Sequence, residues 1–137
     1  MNLNKIFKNK KVLITGHTGF KGSWLTVLLL ELKANVVGVS IDAKKYSHYS
    51  ALNLKKKIID LRADITDLKK MDKIIKKHKP DFIFHLAAQS LILKSYSEPL
   101  NTWKTNVIGT LNLVEILKSL KKKCYAVIIT SDKCYLN

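Results

Sequence analysis

Residues 11–25 read KVLITGHTGFKGSWL, an apolar stretch followed by three glycines and a second apolar stretch. The first stretch predicts a buried β-strand, and the second begins a helix with one apolar face. Glycines between a strand and a helix allow a tight turn, the approach of a phosphate to bare backbone, and close packing of the helix on the strand. The free N–H groups of the helix N-terminus then face the phosphates. This stretch therefore predicts a loop that binds the pyrophosphate of a dinucleotide.

The three glycines, Gly16, Gly19 and Gly22, are spaced G-x-x-G-x-x-G. This spacing differs from the commoner dinucleotide fingerprint G-x-G-x-x-G. It is also not a P-loop, because Lys21 precedes Gly22 where a P-loop needs a glycine followed by a lysine. Lys21 is equally well explained as a solvated surface lysine. We expect the loop to contact the cofactor through six residues: Gly16, His17, Gly19, Phe20, Lys21 and Gly22.

Strand and helix patterns alternate along the whole chain. Apolar runs of strand length occur at residues 12–15, 36–41, 58–61, 82–87 and 125–129. Apolar residues at helical spacing predict a helix at residues 19–33 and a second helix from about Thr66 to before Pro80. A third, long helix is predicted to begin at Pro99. One face of this helix carries five apolar residues: Trp103, Val107, Leu111, Val114 and Leu117. The lysine-rich residues 43–57 indicate a polar loop. The alternation predicts an α/β fold, a doubly wound parallel sheet of five strands within a single domain.

Composition excludes several classes of protein. The chain has 137 residues, enough for one domain with a buried core, and 47% of them are apolar. No apolar run reaches the length of a membrane span, and the first residues lack the apolar segment of a signal peptide. Cys124 and Cys134 have neither a disulfide-framework nor a metal-ligand spacing. We therefore expect a cytoplasmic protein with no membrane partner and no metal site.

The net charge of +15 raises the question of a nucleic-acid partner. Arg62 is the only arginine among the 25 basic residues. Nucleic-acid surfaces favour arginine, whose planar fork grips phosphates and stacks on bases. We therefore interpret the lysines as a solvated surface and expect no nucleic-acid partner. The weaker alternative, a basic nucleic-acid binder, predicts binding that depends steeply on salt.

Polar and small residues follow all five predicted strands. Gly16 follows the first strand, Asp42 the second and Asp64 the third, while 87–89 close the fourth and 130–133 close the fifth. In a doubly wound sheet, ligands bind outside the carboxyl ends of the strands. Five separate segments thus converge on one edge, which is stronger support for a binding site than any single motif.

Two acidic positions at this edge are candidates for holding adenosine. Asp42 lies about where an acid would bind the ribose hydroxyls, and it would repel a 2′-phosphate, which favours NAD over NADP. A surface turn explains Asp42 equally well, because the strand could end at Ser40. Asp64 and Ile65 could hold the adenine, although Asp64 is nearly as well explained as a helix-start residue ahead of Thr66.

A family resemblance runs through essentially the whole chain. It is carried by GHTGFKGSWL (16–25), FHLAAQS (84–90), SYSEP (95–99), TNVIGT (105–110) and TSDKCY (130–135). These stretches resemble the CDP-glucose 4,6-dehydratases, NAD-dependent members of the extended short-chain dehydrogenase/reductase family. The resemblance implies CDP-glucose as the nucleotide-sugar substrate and a role in deoxysugar and O-antigen biosynthesis. In the implied reaction a hydride leaves C4 of the hexose, water is lost across C5 and C6, and the hydride returns to C6.

The resemblance assigns roles by position. Ser131 would hydrogen-bond the sugar near C4, Asp132 would protonate the departing C6 hydroxyl, and Lys133 would act near the C5 proton. Related dTDP-glucose dehydratases carry a glutamate where Lys133 stands. A lysine serves as a base there only if burial or neighbouring charge lowers its pKa. Further residues are expected at the cofactor site, with a structural role for the last: Leu86, Ala87, Ala88, Gln89 and Asn106.

One departure from the family is large. Its hydride transfer needs a Tyr-x-x-x-Lys pair, and no tyrosine of this chain has a lysine four residues later. We expect residues 1–137 to form the NAD-binding domain, truncated before that helix and the sugar-binding domain, and to be inactive alone. The full-length family enzyme is expected to be a homo-oligomer. The alternatives are a stand-alone or split NAD(P)-binding module, or another nucleotide-sugar epimerase or dehydratase.

Overall fold

The structure, a computed structural model, describes residues 3–130. Its elements follow in chain order: α1 (Leu3–Phe7), β1 (Lys11–Thr15), α2 (Phe20–Glu31), β2 (Asn35–Ser40), α3 (His48–Ala51), a 3₁₀ turn (Leu54–Lys56), β3 (Ile59–Arg62), α4 (Leu68–His78), β4 (Phe82–His85), α5 (Ile92–Ser97), α6 (Pro99–Trp103), a π-helical segment (Lys104–Ile108), α7 (Gly109–Lys118) and β5 (Tyr125–Ile128). The five predicted strands are all present, each within two residues of its expected bounds.

The five strands form one parallel sheet in the order β3-β2-β1-β4-β5. In the centre, Val12 of β1 lies opposite Val36 of β2 on one side and opposite Phe82 of β4 on the other. The chain therefore winds outward from β1 in both directions, which confirms the doubly wound α/β fold. Because the winding reverses between β1 and β4, a crevice opens at the carboxyl edge of these two strands.

Both faces of β1 are covered, because its side chains are apolar on both sides. Leu13 packs in a cluster with residues of α4 and α7, whereas Val12 and Ile14 pack in a cluster with Leu29 of α2. These three side chains of β1 have no solvent exposure. A continuous apolar run is what a central parallel strand requires when helices lie on both faces of the sheet.

Residues 43–57 are not the simple polar loop that the sequence predicts. They contain α3 and the 3₁₀ turn, and two of their side chains, Tyr49 and Leu54, are buried. His48 stacks on the ring of Trp24, with 4.4 Å between ring centroids. The segment is rich in lysine, and its two buried apolar residues, Tyr49 and Leu54, do not form a periodic pattern. A sequence-based prediction therefore cannot recognise its short helices.

The long helix begins at Pro99 as predicted, but most of the apolar face predicted for it is exposed. Val107 and Leu111 remain 43% and 57% exposed, whereas Gly109, Leu113 and Ile116 are buried. The π-helical segment interrupts the regular α spacing in the middle of this helix. Extrapolating a period of 3.6 residues through that segment therefore assigns the wrong residues to the sheet.

The densest lysine clusters lie away from the crevice. Lys55–Lys57, Lys76–Lys77 and Lys121–Lys123 are exposed and precede β3, β4 and β5. They therefore lie at the amino edge of the sheet, opposite the carboxyl edge. Lysines in the last turn of α4 also complement the negative end of that helix. Within residues 3–130, no helix has both the length and the apolar character needed to cross a bilayer.

We predict that residues 1–137 self-associate, and more strongly at high salt. β5 lies at an edge of the described sheet, where Tyr125, Val127 and Ile129 are about half exposed. Such an edge pairs readily with another strand. The charge of +15 opposes association, but salt above about 0.1 M screens that repulsion. Sedimentation velocity at about 0.05 and 0.5 M salt measures the effect.

The matched control is Val127→Lys, which places a charge on the same edge strand and should reduce association at both salt concentrations. A sharp monomer boundary for the unaltered chain at high salt would show that this edge is already protected.

Candidate functional site

A cavity of about 530 Å³ opens at the carboxyl edge of the sheet. Its walls come from the glycine loop and from the residues that follow the other four strands, namely 40–41, 63–65, 86–88 and 129–130. All five strands thus contribute, as the convergence of polar and small residues predicts. The volume lies within the range of small-molecule and cofactor sites in proteins.

Gly16 makes the turn out of β1. Its φ is +75°, a conformation that side chains with a Cβ rarely adopt. A Cβ at this position would also lie 2.8 Å from the backbone nitrogen of Ala87, at the end of the neighbouring strand. The turn and the close approach of β4 therefore both require glycine here.

Gly22 and Gly19 have different roles. A Cβ on Gly22 would overlap the carbonyl oxygen of Gly16, so this glycine lets α2 pack against the loop. A Cβ on Gly19 would meet only the Gly16 oxygen, at 3.3 Å, and Gly19 lines the cavity. The space in front of Gly19 is thus the place where a ligand can approach bare backbone. The structure distributes turn, ligand approach and helix packing over the three glycines in chain order.

The N-terminus of α2 provides the donors and the charge that an anion needs. The first intrahelical bond runs from the Ser23 amide to the Gly19 carbonyl at 2.9 Å. The amides of Phe20, Lys21 and Gly22, which all line the cavity, precede that bond and have no intrahelical acceptor. The first turn carries no acidic residue, so the positive end of the helix dipole is not neutralised.

His17 is one of the predicted cofactor residues that do not line the cavity. Its ring is fully buried and does not line the cavity. The Nε2 atom lies 2.8 Å from Oδ1 of Asp60 on β3. The His17 side chain therefore points away from the cavity, because β2 has a glycine, Gly38, at the position where the ring packs. A contact between His17 and the cofactor stays a prediction.

At the end of β2, the cavity is lined by Ser40 and Ile41 and not by Asp42. The Asp42 carboxylate is exposed and accepts a hydrogen bond from the Ala43 amide at 2.7 Å. Its backbone carbonyl accepts a hydrogen bond from the Thr18 hydroxyl of the glycine loop, also at 2.7 Å. Asp42 thus adjoins the cavity, and its contact in this structure is through the backbone.

At the end of β3, both predicted residues line the cavity. Asp64 accepts hydrogen bonds from the amide and the hydroxyl of Thr66, each at 2.8 Å, so it also has the helix-start role that the sequence left open. Ile65 is buried and gives the cavity an apolar wall. The flat face of an aromatic ring such as adenine suits that wall.

A buried chain of hydrogen bonds fixes the end of β4 beside the glycine loop. The Ala87 amide donates to the Thr15 hydroxyl at 3.2 Å, and this hydroxyl lies 2.7 Å from Nδ1 of His85. Nε2 of His85 lies 3.1 Å from the Thr110 hydroxyl, which itself donates to the Asn106 carbonyl. This order of donors assigns a neutral His85 protonated on Nε2, and burial lowers the pKa of His85 in agreement. His85 is therefore a buried, hydrogen-bonded core residue.

Asn106 clamps the segment after β4. Its side-chain oxygen accepts from the Gln89 amide at 2.8 Å, and its side-chain nitrogen donates to the Gln89 carbonyl at 3.0 Å. The Gln89 side chain in turn bonds to Thr102 and to the Leu91 backbone. Neither Asn106 nor Gln89 lines the cavity, whereas Leu86, Ala87 and Ala88 do. Asn106 therefore has the structural role expected for it.

Three of the predicted catalytic positions, Ser131, Asp132 and Lys133, lie outside the described residues. The residues just before them, Ile129 and Thr130, line the cavity. The chain thus leads out of β5 directly at the site. Residues 3–130 contain no cluster of three side chains suited to a metal ion.

Some cavity residues were not predicted from the sequence. Thr18, Ile41, Ser90 and Thr105 all line the cavity. Thr18 and Ile41 adjoin predicted site residues and could have been included by proximity. Thr105 lies on the π-helical segment, more than one element away from any strand end, and no sequence signal places it at the site.

Comparison with known proteins identifies the family. The sequence model of the family described as GDP-mannose 4,6 dehydratase matches residues 13–135. The chain belongs to this family. It is 42% identical over 132 residues to the CDP-glucose 4,6-dehydratase of Salmonella typhimurium, covering 96% of this chain and 37% of that enzyme. The chain spans about a third of the length of the relatives it matches.

Solved structures with this fold superpose on the chain. L-threonine dehydrogenase from Clostridium difficile matches with a TM-score of 0.75 and 32% identity, over 88% of this chain and 36% of that one. The UDP-glucose 4-epimerase of Thermus thermophilus, solved in complex with NAD, matches with a TM-score of 0.70 and 28% identity, over 79% and 33%. The Rossmann fold is therefore shared with NAD-binding sugar epimerases of this wider family.

We predict that the free energy of unfolding falls as the pH is lowered from about 7.5 to about 5.5. Burial lowers the pKa of His17 and of His85 below their usual value. The unfolded chain therefore binds protons near pH 6.5 while the folded chain does not, so acid favours unfolding. Burial and the nearby Lys77 and Lys11 lower the pKa of His78 as well, in the same direction.

Urea denaturation at the two pH values measures this effect. The double substitution His17→Gln and His85→Gln should flatten the pH dependence, apart from the contribution of His78. A denaturation midpoint of the unaltered chain that does not change over this range would contradict the neutral, buried state of both rings.

Proposed function

We propose that this chain is the dinucleotide-binding portion of a nucleotide-sugar 4,6-dehydratase that uses NAD and acts on CDP-glucose. The observation that carries the proposal is the cavity in front of Gly19, which combines bare backbone with the open N-terminus of α2. The 42% identity to a CDP-glucose 4,6-dehydratase supports the choice of substrate. A soluble cytoplasmic enzyme of deoxysugar and O-antigen biosynthesis, homo-oligomeric at full length, follows from the same proposal.

The residues present fit NAD at this edge. The amides of Phe20, Lys21 and Gly22 would bind the pyrophosphate, with the Lys21 ammonium adding charge. Ile65 would contact the adenine. Asp42 would hold the adenosine ribose after a small shift of its carboxylate toward the cavity, and its charge would disfavour the 2′-phosphate of NADP.

The chemistry would take place where β5 ends. When bound, NAD supplies a hydride acceptor that later becomes the hydride donor of the internal redox reaction. Ser131 would orient the sugar through a hydrogen bond near C4. Asp132 would give a proton to the C6 hydroxyl as it leaves, and Lys133 would take the C5 proton, so that water is lost across C5 and C6. A base role for Lys133 requires burial or a neighbouring charge to lower its pKa.

Two alternatives share the same fold. A stand-alone or split NAD(P)-binding module would bind the dinucleotide and no nucleotide sugar. A nucleotide-sugar epimerase is favoured by the superposition on a UDP-glucose 4-epimerase, and it would not remove water from its substrate. In the same sequence comparison, the identity to the Salmonella dehydratase is 42% and that to a UDP-glucose 4-epimerase of Mycoplasma genitalium is 34%, which favours the dehydratase.

We predict that Gly19→Val abolishes NAD binding while the chain still folds. The valine side chain would extend into the cavity that a pyrophosphate needs, and a Cβ there meets only one protein atom. Isothermal titration with NAD, alongside circular dichroism, measures both properties. The matched control is Gly22→Val, which collides with the Gly16 backbone and should disturb folding itself. A folded Gly19→Val chain with unchanged NAD affinity would place the dinucleotide elsewhere.

We also predict that purified residues 1–137 do not dehydrate CDP-glucose, even with NAD. A tyrosine that takes the C4 hydroxyl proton typically contributes about 10²- to 10⁴-fold to the rate, and this chain lacks the Tyr-x-x-x-Lys pair. Absorbance of the 4-keto product in alkali reports the reaction. Appearance of that product would mean that another group of this chain replaces the tyrosine.

A further inference from the structure

His17 is held in a buried polar cluster beneath the glycine loop. Its ring packs on Gly38 of β2, where any Cβ would overlap the ring. The ring of Tyr49 meets it edge-on, with 5.2 Å between centroids. Its Nε2 atom lies 2.8 Å from Oδ1 of Asp60 on β3, and the other oxygen of Asp60 accepts from Arg62 at 2.8 Å. The ring is thus fixed by three different elements.

This cluster is an unusual use of buried polar groups. Tyr49 belongs to the same cluster, because its hydroxyl interacts with the Asp60 carboxylate and with Arg62. Burial, with the Asp60 carboxylate nearby, raises the pKa of Tyr49 to about 12, so its hydroxyl keeps its proton. Buried polar groups are tolerated in a core only when they are hydrogen-bonded to one another. The cluster therefore holds the His17 ring in one position beneath the glycine loop.

The backbone of His17 connects this cluster to the ligand cavity. Gly16 before it donates its amide to the Val39 carbonyl at 2.8 Å, and Thr18 after it bonds to Ser40 and to the Asp42 carbonyl. Both neighbours line the cavity, whereas the His17 side chain points away from it. A rotation of His17 would therefore move the two residues that shape the turn at the mouth of the site.

We infer that His17 is a positioning residue, whose contacts with Gly38 and Asp60 fix the glycine loop in the conformation that receives the dinucleotide. The inference rests on the proposed function and adds to it a residue that touches no ligand. A hydrogen bond to a carboxylate is among the stronger hydrogen bonds in proteins. Without it, the loop samples other conformations, and the apparent affinity falls in proportion to the fraction of chains in the competent conformation.

The first arm of the test is the affinity of the whole chain for NAD, by isothermal titration. His17→Phe keeps a ring on Gly38 but loses the hydrogen bond to Asp60. If the glycine loop keeps the conformation that receives the dinucleotide in one chain out of ten, the affinity for NAD should fall about tenfold. His17→Gln, which can still donate to Asp60, should recover most of the affinity. The control Ile75→Val trims a fully buried core side chain of α4, outside the cluster, and should leave affinity unchanged.

The second arm uses the overlap between His17 and Gly38. Gly38→Ala alone should displace the ring and weaken NAD binding about as much as His17→Phe. In a chain that already carries His17→Ala, Gly38→Ala should cause no further loss of NAD affinity, because the ring with which the new methyl group would collide has been removed. This non-additivity distinguishes a positioning contact from general destabilisation, which would make the two losses add. If His17→Phe cannot be purified, the Gly38→Ala pair carries the test.

The third arm needs no ligand. Amide hydrogen exchange of residues 16–20 should be faster in His17→Phe than in the unaltered chain and in Ile75→Val. Equal affinity of His17→Phe and the unaltered chain would overturn the inference and leave the proposed function standing. If the unaltered chain binds no NAD, the proposed function fails. In that case, amide hydrogen exchange of residues 16–20 that is equally fast in His17→Phe and in the unaltered chain would overturn the role of His17 as well.

Discussion

The close backbone approach between β1, β4 and α2 is the constraint on which the rest of the site depends. Gly16 turns out of β1 with a φ of +75° and brings the loop against the Ala87 backbone. Gly22 then allows α2 to begin against the Gly16 carbonyl. With this packing, the helix N-terminus points into the crevice where the winding of the sheet reverses. Side chains at either glycine would separate the helix from the strands and close the anion site.

Two buried histidines hold the walls of this crevice from opposite sides. His85 joins β1 to the long helix through Thr15 and Thr110, while His17 joins the glycine loop to β3 through Asp60. His85 uses both of its ring nitrogen atoms, so that one side chain connects two elements inside the core. Positive charge lies at both edges of the sheet. The positive end of the α2 dipole faces the cavity, and the lysine clusters lie at the opposite, amino edge.

Much of the site could be predicted from the sequence, because its positions follow from strand ends. Asp64, Ile65 and Ala87 line the cavity because each lies at or just beyond the end of an apolar run that the sequence shows. His17 could not be placed in this way. A residue between two loop glycines looks exposed in sequence, and only the missing side chain at Gly38, on a strand distant along the chain, makes room for its ring.

The sequence by itself determined the parallel sheet, the turn at Gly16 and the edge at which the cavity opens, because strand alternation and glycine spacing are local properties of the chain. The tertiary structure decided which side of the long helix faces the sheet and where the two buried histidines point. Those outcomes depend on a π-helical segment and on contacts between residues such as His17 and Asp60, which are far apart in sequence. Local periodicity carries no information about such pairs, since they meet only after the strands have assembled.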